Sequence, residues 1–158
     1  MSLPPKEIFE RIRTRFPLAV ASISEAPVDP FAVIRRDDVA EVCRFLRDDP
    51  ELQFNYCSSV SGVDDTKTFW VVYHLYSIPK GHSLVLKADA GRDEPWAPSV
   101  AELWPGANWH EREAYDLYGI RFEGHPDLRR ILLPEDWIGH PLRKDYEFPE
   151  DYQGIPLR

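Results

Sequence analysis

Lys67-Thr-Phe-Trp-Val-Val-Tyr-His-Leu-Tyr76 (KTFWVVYHLY) is apolar or aromatic at both odd and even positions. It is too short to span a bilayer and is dominated by β-branched and aromatic residues, so it reads as a central strand covered on each face. Its neighbours read as strands as well. ELQFNY (Glu51 to Tyr56) alternates and places Leu52, Phe54 and Tyr56 on one face, and HSLVLKAD (His82 to Asp89) groups Leu84, Leu86 and Ala88 in the same way. The connectors Val63 to Thr66 and Pro79 to Gly81 are short enough for hairpins.

Working outward from that sheet, Pro4 to Arg15 is expected to be a helix with the stripe Ile8, Phe9, Ile12 and Phe16, ended by Pro17. Leu18 to Ser22 and Phe31 to Arg35 are short β-type runs. A second helix follows, capped by Asp37 or Asp38, with Val39, Val42, Cys43 and Leu46 as its apolar stripe. A third runs from Trp109 to Tyr118, with Asn108 as N-cap, Glu111 completing a capping box and Gly119 as its stop. The order α-β-β-α-β-β-β-α predicts an α+β two-layer sandwich, with helices on a mixed, largely antiparallel sheet. The domain is expected to occupy residues 1–119, followed by an extended, proline-punctuated, partner-binding tail over 120–158.

Composition narrows the function. A chain of 158 residues fits one domain, and a net charge of −8 argues against nucleic acid as partner and against docking on anionic lipid by charge alone. The N-terminus, MSLPPKEIFE, has neither a basic start nor an apolar h-region, so any membrane association is expected to come through partners. Cys43 and Cys57 form no Cys-x-x-Cys pair and read as buried thiols. No glycine-rich phosphate loop is present.

The third helix begins His110-Glu111, half of a zinc-protease motif, but the position one turn after His110 is Ala114. Projected at 100° per residue, His110, Ala114, Leu117 and Tyr118 face the core. Trp109, Arg112, Glu113 and Asp116 share another side, where Arg112 and Asp116 form an i, i+4 ion-pair candidate. Beyond Gly119 come two related phrases, GHPDLRR (Gly124 to Arg130) and GHPLRK (Gly139 to Lys144). The tail around them carries Ile131, Leu132, Leu133, Trp137, Ile138, Tyr146 and Phe148, too much apolar surface to remain solvated. Leucine, tryptophan and tyrosine anchors beside arginines are what protein interfaces use.

The run EREAYDLYGIRFEGHPDLRRILLPEDWIGHPLRKDY, Glu111 to Tyr146, closely resembles the signature region of the 30-kilodalton subunit family of respiratory complex I, the proton-translocating NADH:quinone oxidoreductase. Its pattern E-R-E, D-L-[YF]-G-[IV], G-H-P-D-L-R-R, D-W-x-G-H-P-L-R-K-D-[YF] stands here in order; upstream the likeness is looser, through Trp104 to Glu113. The resemblance implies a non-catalytic accessory subunit of the peripheral arm, inactive alone, on the cytoplasmic face of the bacterial inner membrane. It implies no catalytic, cofactor-binding or metal residues in this chain; the complex would use NAD(H), FMN, iron–sulfur clusters and quinone elsewhere. The implied partners are complex I subunits, chiefly the one that shapes the quinone site, with neighbouring iron–sulfur subunits. Carried over residue by residue, Glu111, Arg112, Glu113 and Asp116 are the charged signature helix, an ion-pair network holding tail to domain or subunit to subunit. His125, Arg129, Arg130, Trp137, His140, Arg143 and Lys144 are the partner-facing set. The end of the chain at EDYQGIPLR is expected to mark a stand-alone subunit without a fused quinone-site domain. Alternatives are the equivalent subunit of a membrane-bound hydrogenase or other-donor dehydrogenase complex, or a free-standing metal hydrolase using His110, His125 and His140.

Overall fold

The computed structural model describes residues 2–26 and 28–157. Helix α1 (Pro5–Arg15) starts at a proline, whose fixed φ suits the first turn, and buries Ile8, Phe9 and Ile12. Strands β1 (Val20–Ser24) and β2 (Phe31–Ile34) pair antiparallel. A 3₁₀ turn over Arg36–Asp38 leads into α2 (Val39–Asp48), which buries Val39, Val42, Cys43 and Leu46 as its periodicity demands. The expected cap is absent: Asp38 is itself in the helical region and its side chain bonds no helix N–H.

The long strands are β3 (Tyr56–Asp64), β4 (Phe69–Ser77) and β5 (His82–Gly91), followed by β6 (Trp96–Pro98), α3 (Ala107–Tyr118), β7 (Arg121–Glu123) and the hairpin β8 (Asp151–Tyr152) with β9 (Ile155–Pro156). The main sheet has the order β1-β2-β5-β4-β3, antiparallel except where β2 pairs β5 in parallel. The fold class is therefore α+β, with three α-helices and a mixed five-stranded sheet among the described residues.

Two strand expectations are corrected. Glu51 to Asn55 is no strand. Leu52 and Phe54 are fully buried, but in a turn where Gln53 takes φ +46°, and the chain becomes β only at Tyr56, which is about half exposed. KTFWVVYHLY does form β4, but it is covered on one face only. Phe69, Val71, Tyr73 and Leu75 join Leu84, Leu86 and Ala88 of β5 and the apolar faces of α1 and α2 in one core. The opposite row, Trp70, Val72, His74 and Tyr76, runs from barely buried to exposed.

The core does not stop at Gly119. Ile120 and Phe122 are buried in it, and β7 pairs in parallel with β6, so the boundary expected at residue 119 falls inside a structural unit. Both thiols are buried; burial pushes Cys57 up to about 12 and Cys43 higher still.

The signature helix and its strap

Helix α3 begins earlier than its charges suggest. Gly106 precedes it, Asn108 lies inside it, and no side chain caps its start. The Glu111 carboxylate, expected in a capping box, turns inward instead. It is fully buried and accepts the Ser99 hydroxyl at 2.6 Å and the Val100 N–H at 2.7 Å, tying α3 to the segment after β6. Burial raises its pKa to about 7 against those two hydrogen bonds. The nearest imidazole, His125, has its Nε2 3.9 Å away. Its Nε2–H donates to the Asn108 carbonyl at 3.2 Å while Nδ1 accepts the Asp127 N–H at 3.0 Å, which fixes the tautomer.

Asp116, five residues on and equally buried, has the opposite environment. One carboxylate oxygen accepts the backbone N–H groups of Ile131, Leu132 and Leu133 at 2.8–3.0 Å. The other pairs with the Arg130 guanidinium at 2.8 Å. Burial alone would raise this carboxyl, but the Leu133 N–H, Arg130, and the Leu132 and Ile131 N–H groups outweigh it and hold it below the ordinary value. The projected Arg112–Asp116 pair does not form. Arg112 is buried and donates to the carbonyls of Arg129 and Arg130, at 3.1 Å each. Asp116 and Arg112 thus hold the same short tail segment, the first by its amides and a side chain, the second by its carbonyls. The core-facing set is also revised: Ala107, Glu111, Arg112, Ala114 and Asp116 are buried, His110, Leu117 and Tyr118 are half-buried, and Glu113 is exposed.

The second phrase, Gly139 to Lys144, caps the other end of the helix. A helix leaves its last four carbonyls without intrahelical partners. Here the Tyr115 carbonyl takes the Gly119 N–H at 2.8 Å, that of Asp116 takes His140 Nδ1–H at 2.8 Å, that of Leu117 takes the Leu142 N–H at 3.1 Å, and that of Tyr118 takes Arg143 Nε at 2.7 Å. The last three are closed from the strap, by residues 24 to 25 positions later. The helix has no basic residue in its own last turn, so Arg130 and Arg143 also supply the positive charge that its C-terminus favours. Gly119, at φ +75°, is where they converge: a Cβ there would stand 2.6 Å from the His140 ring and 2.7 Å from Arg143. Gly139, at φ +80°, leaves room for the Tyr146 ring, whose hydroxyl donates to the Ile138 carbonyl at 2.8 Å. Burial lowers the His140 pKa more than its bond to the Asp116 carbonyl raises it, with Arg143 and Arg130 adding to the depression.

The remaining signature residues sit around this arrangement. Arg129 is exposed and pairs with Asp127, while the Trp137 ring lies 5.2 Å from that of Tyr152 and its carbonyl accepts Arg130 Nη2. Lys144 uses its backbone, donating its N–H to the Asp64 carboxylate at 2.8 Å. Asp64 and its partner Arg92 lie outside every motif of the sequence. The hairpin turn hides Asp64 among ordinary turn acids, and no local spacing links it to residue 144. His110, His125 and His140 share no common site, and among the described residues no group of three His, Cys, Asp or Glu side chains could hold a metal. Nor is any helix of the described residues long and apolar enough to cross a membrane.

Fold and site together define a class: a small α+β domain whose charged terminal helix is capped and clamped by the strap that follows it. Comparison with known proteins sharpens this. The family model for the respiratory-chain NADH dehydrogenase 30 Kd subunit matches residues 32–158. An NADH-quinone oxidoreductase subunit of Roseiflexus sp. (strain RS-1) is 47% identical over 142 residues, covering 88% of this chain and 82% of the relative. Its counterpart in Rhizobium etli (strain CIAT 652) is 46% identical over 143 residues, covering 88% and 75%. Among solved structures, the trypsin-resistant fragment (1–134) of Nqo5 superimposes with a TM-score of 0.61 at 28% identity, over 78% of this chain and 98% of that one. A chain of the archaeal membrane-bound sulfane sulfur reductase shares the fold, with a TM-score of 0.73 at 23% identity over 90% and 85%. The chain belongs to the respiratory-chain NADH dehydrogenase 30 Kd subunit family.

Proposed function

We propose that the chain is a non-catalytic peripheral-arm subunit of a proton-translocating NADH:quinone oxidoreductase, which supports electron transfer by packing against the subunits that carry it out. NAD(H), FMN, iron–sulfur clusters and quinone belong, in this reading, to neighbouring chains. The complex sits on the cytoplasmic face of the bacterial inner membrane, and this chain reaches the membrane through its partners. The electron donor is a property of the assembly, so a membrane-bound hydrogenase or another dehydrogenase would use an equivalent subunit in the same way.

The observation that carries the reading is the division of labour within the strap. Arg130, His140 and Arg143 turn inward onto α3, while Leu132 (62% exposed), Ile138 (79%), Leu142 (50%) and Phe148 (51%) face outward. Apolar side chains held rigidly in solvent cost less ordering entropy on docking than the same residues on a flexible arm. The subunit that shapes the quinone site is the proposed occupant of this row, with neighbouring iron–sulfur subunits beside it. The residues expected from sequence to face a partner are accordingly reassigned in the proposal. Arg130, His140 and Arg143 set the shape of the strap, and the apolar side chains between and just beyond them make the contact.

The test is affinity purification of the tagged chain from its native membranes in mild detergent, alongside the double variant Ile138→Arg, Phe148→Arg. Iron–sulfur and quinone-site subunits are expected with the unmodified chain and lost with the variant. Equal recovery with both would place docking elsewhere, and absence of redox subunits from both would overturn the reading.

A further inference from the structure

The strap's second half ends at a site that the signature helix does not contain. Asp64 closes β3, Phe69 opens β4 and Arg92 follows β5, so all three lie at one end of the sheet. The Asp64 side chain is 2% exposed. It accepts Arg92 Nη1 at 2.6 Å, the Lys144 N–H at 2.8 Å and the Thr66 N–H at 2.8 Å. The other Arg92 nitrogen, Nη2, bonds Asp145 at 2.6 Å. The guanidinium groups of Arg92 and Arg143 both lie over the Phe69 ring, 4.4 and 4.9 Å from its centroid. Asp64 and Arg92 thereby hold two consecutive strap residues, Lys144 and Asp145.

The two legs of this arrangement are unequal. Asp145 is 60% exposed, so its bond to Arg92 is largely screened. Asp64 is desolvated, and a buried carboxylate that loses a partner loses far more. Between this point and the Asp116 clamp, the bonds from the strap to α3 are those of His140, Leu142 and Arg143 to the helix carbonyls.

We propose that Asp64 and Arg92 are positioning residues: a second latch, independent of the Asp116 clamp, that fixes strap residues 143–146 and so sets the direction of the apolar row at Leu142 and Phe148. This rests on the docking role proposed above, but the latch itself is a property of the isolated chain. Asp116 fastens the strap near Ile131 to Leu133, and Asp64 fastens it near Lys144. Between these two fastenings the strap is held by Arg130, through the Trp137 and Gly139 carbonyls, and by the bonds of His140, Leu142 and Arg143 to α3.

Hydrogen exchange read by mass spectrometry on the full-length chain tests this. Asp64→Asn and Arg92→Gln are each expected to raise exchange across residues 143–146 at least about tenfold while leaving 128–133 unchanged, the size of change that a loss of about 1.4 kcal/mol in local opening free energy produces. Asp116→Asn should do the reverse. Arg92→Lys, which keeps a cation beside Asp64, should restore protection at 143–146 to near that of the unmodified chain. Unchanged exchange at 143–146 in both Asp64→Asn and Arg92→Gln overturns the latch. So does a uniform rise across the whole chain, which would mark ordinary destabilisation of the domain. Because the readout needs no partner, it stands apart from the membrane purification. If the latch behaves as expected but Asp64→Asn recovers redox subunits as well as the unmodified chain, the latch remains and its role in aiming the docking row is overturned.

Discussion

Glu111 and Asp116 lie on one helix, five residues apart, and both are fully buried. What separates them is the number of donors each carboxylate meets. Glu111 has a hydroxyl and one amide, and burial wins; Asp116 has three amides and a guanidinium, and the donors win. The sign for Glu111 follows. Its folded value, about 7, lies above the ordinary 4.5, so within that window the folded chain keeps a proton that the unfolded chain has released. The stability it contributes is full below 4.5 and is lost as pH rises from there through 7, roughly 3 kcal/mol in all at about 1.36 kcal/mol per pH unit separating the two values. Glu111→Gln should remove that slope. In denaturant unfolding, the variant is expected to gain about 3 kcal/mol on the unmodified chain between about pH 4.5 and about pH 8. A constant difference between the two at every pH would show that Glu111 is not the group involved. Both carboxylates stand out in the sequence, but their partners do not. A helical wheel pairs Arg112 with Asp116 because it knows only the helix, and the true partners lie 14 to 18 residues further along the chain.

Elements are legible in the sequence where burial and local periodicity coincide. The stripes of α1 and α2 are buried as their spacing requires, and β5 alternates as its sequence does. ELQFNY misleads because two large apolar residues flank Gln53, a residue in the left-handed region, and imitate the period of a strand while forming a turn. The actual strand, YCSSVSGVD, is poor in β-formers and has a bulge between Cys57 and Ser59 that breaks its alternation. The cap of α3 is hidden for a different reason. Gly119 announces a helix end, but the residues that close the end lie in a phrase separated from it by the whole of the first Gly-His-Pro motif. Gly119 must supply both a positive φ and empty space. Gly119→Ala is therefore expected to cost about 1–2 kcal/mol for the left-handed backbone alone, plus the displacement of His140 and Arg143. Thermal unfolding measures the total. A loss no larger than the backbone cost would mean that His140 and Arg143 move aside freely and do not cap the helix.

At the scale of the whole molecule, the strap joins the domain through buried charge while the domain coheres through apolar burial, and acid acts on the two differently. Asp116 and Asp64 are both held below the ordinary carboxylate value of 3.8. For Asp64, as for Asp116, burial alone would act the other way, and the Lys144 and Thr66 N–H groups with Arg92 overcome it. Groups with depressed values contribute stability that is present above the unfolded value and disappears as pH falls through the folded one. Both fastenings should thus hold throughout the neutral range and fail only below pH 3.8, each independently of the other. The core around Phe9, Leu46, Tyr73 and Leu86 is an apolar cluster, and the buried carboxylate that acts on Tyr73, Glu111, is raised rather than lowered, so acid gives this core no reason to open in the same step. Glu111, protonated there, no longer carries a desolvated charge, so burial of α3 against the segment after β6 is favoured in acid, which opposes unfolding of the helix as its strap departs. The expected outcome is a two-stage acid titration. In amide NMR spectra, Ile131, Leu132 and Leu133 should move with Asp116 and Lys144 with Asp64, while residues of β4 and β5 keep native shifts until lower pH. The variant Asp116→Asn should free 131–133 at neutral pH and leave the titration of Lys144 unchanged. If all regions unfold in a single transition instead, strap and core are one cooperative unit and the charged fastenings are no weaker than the packing beneath them.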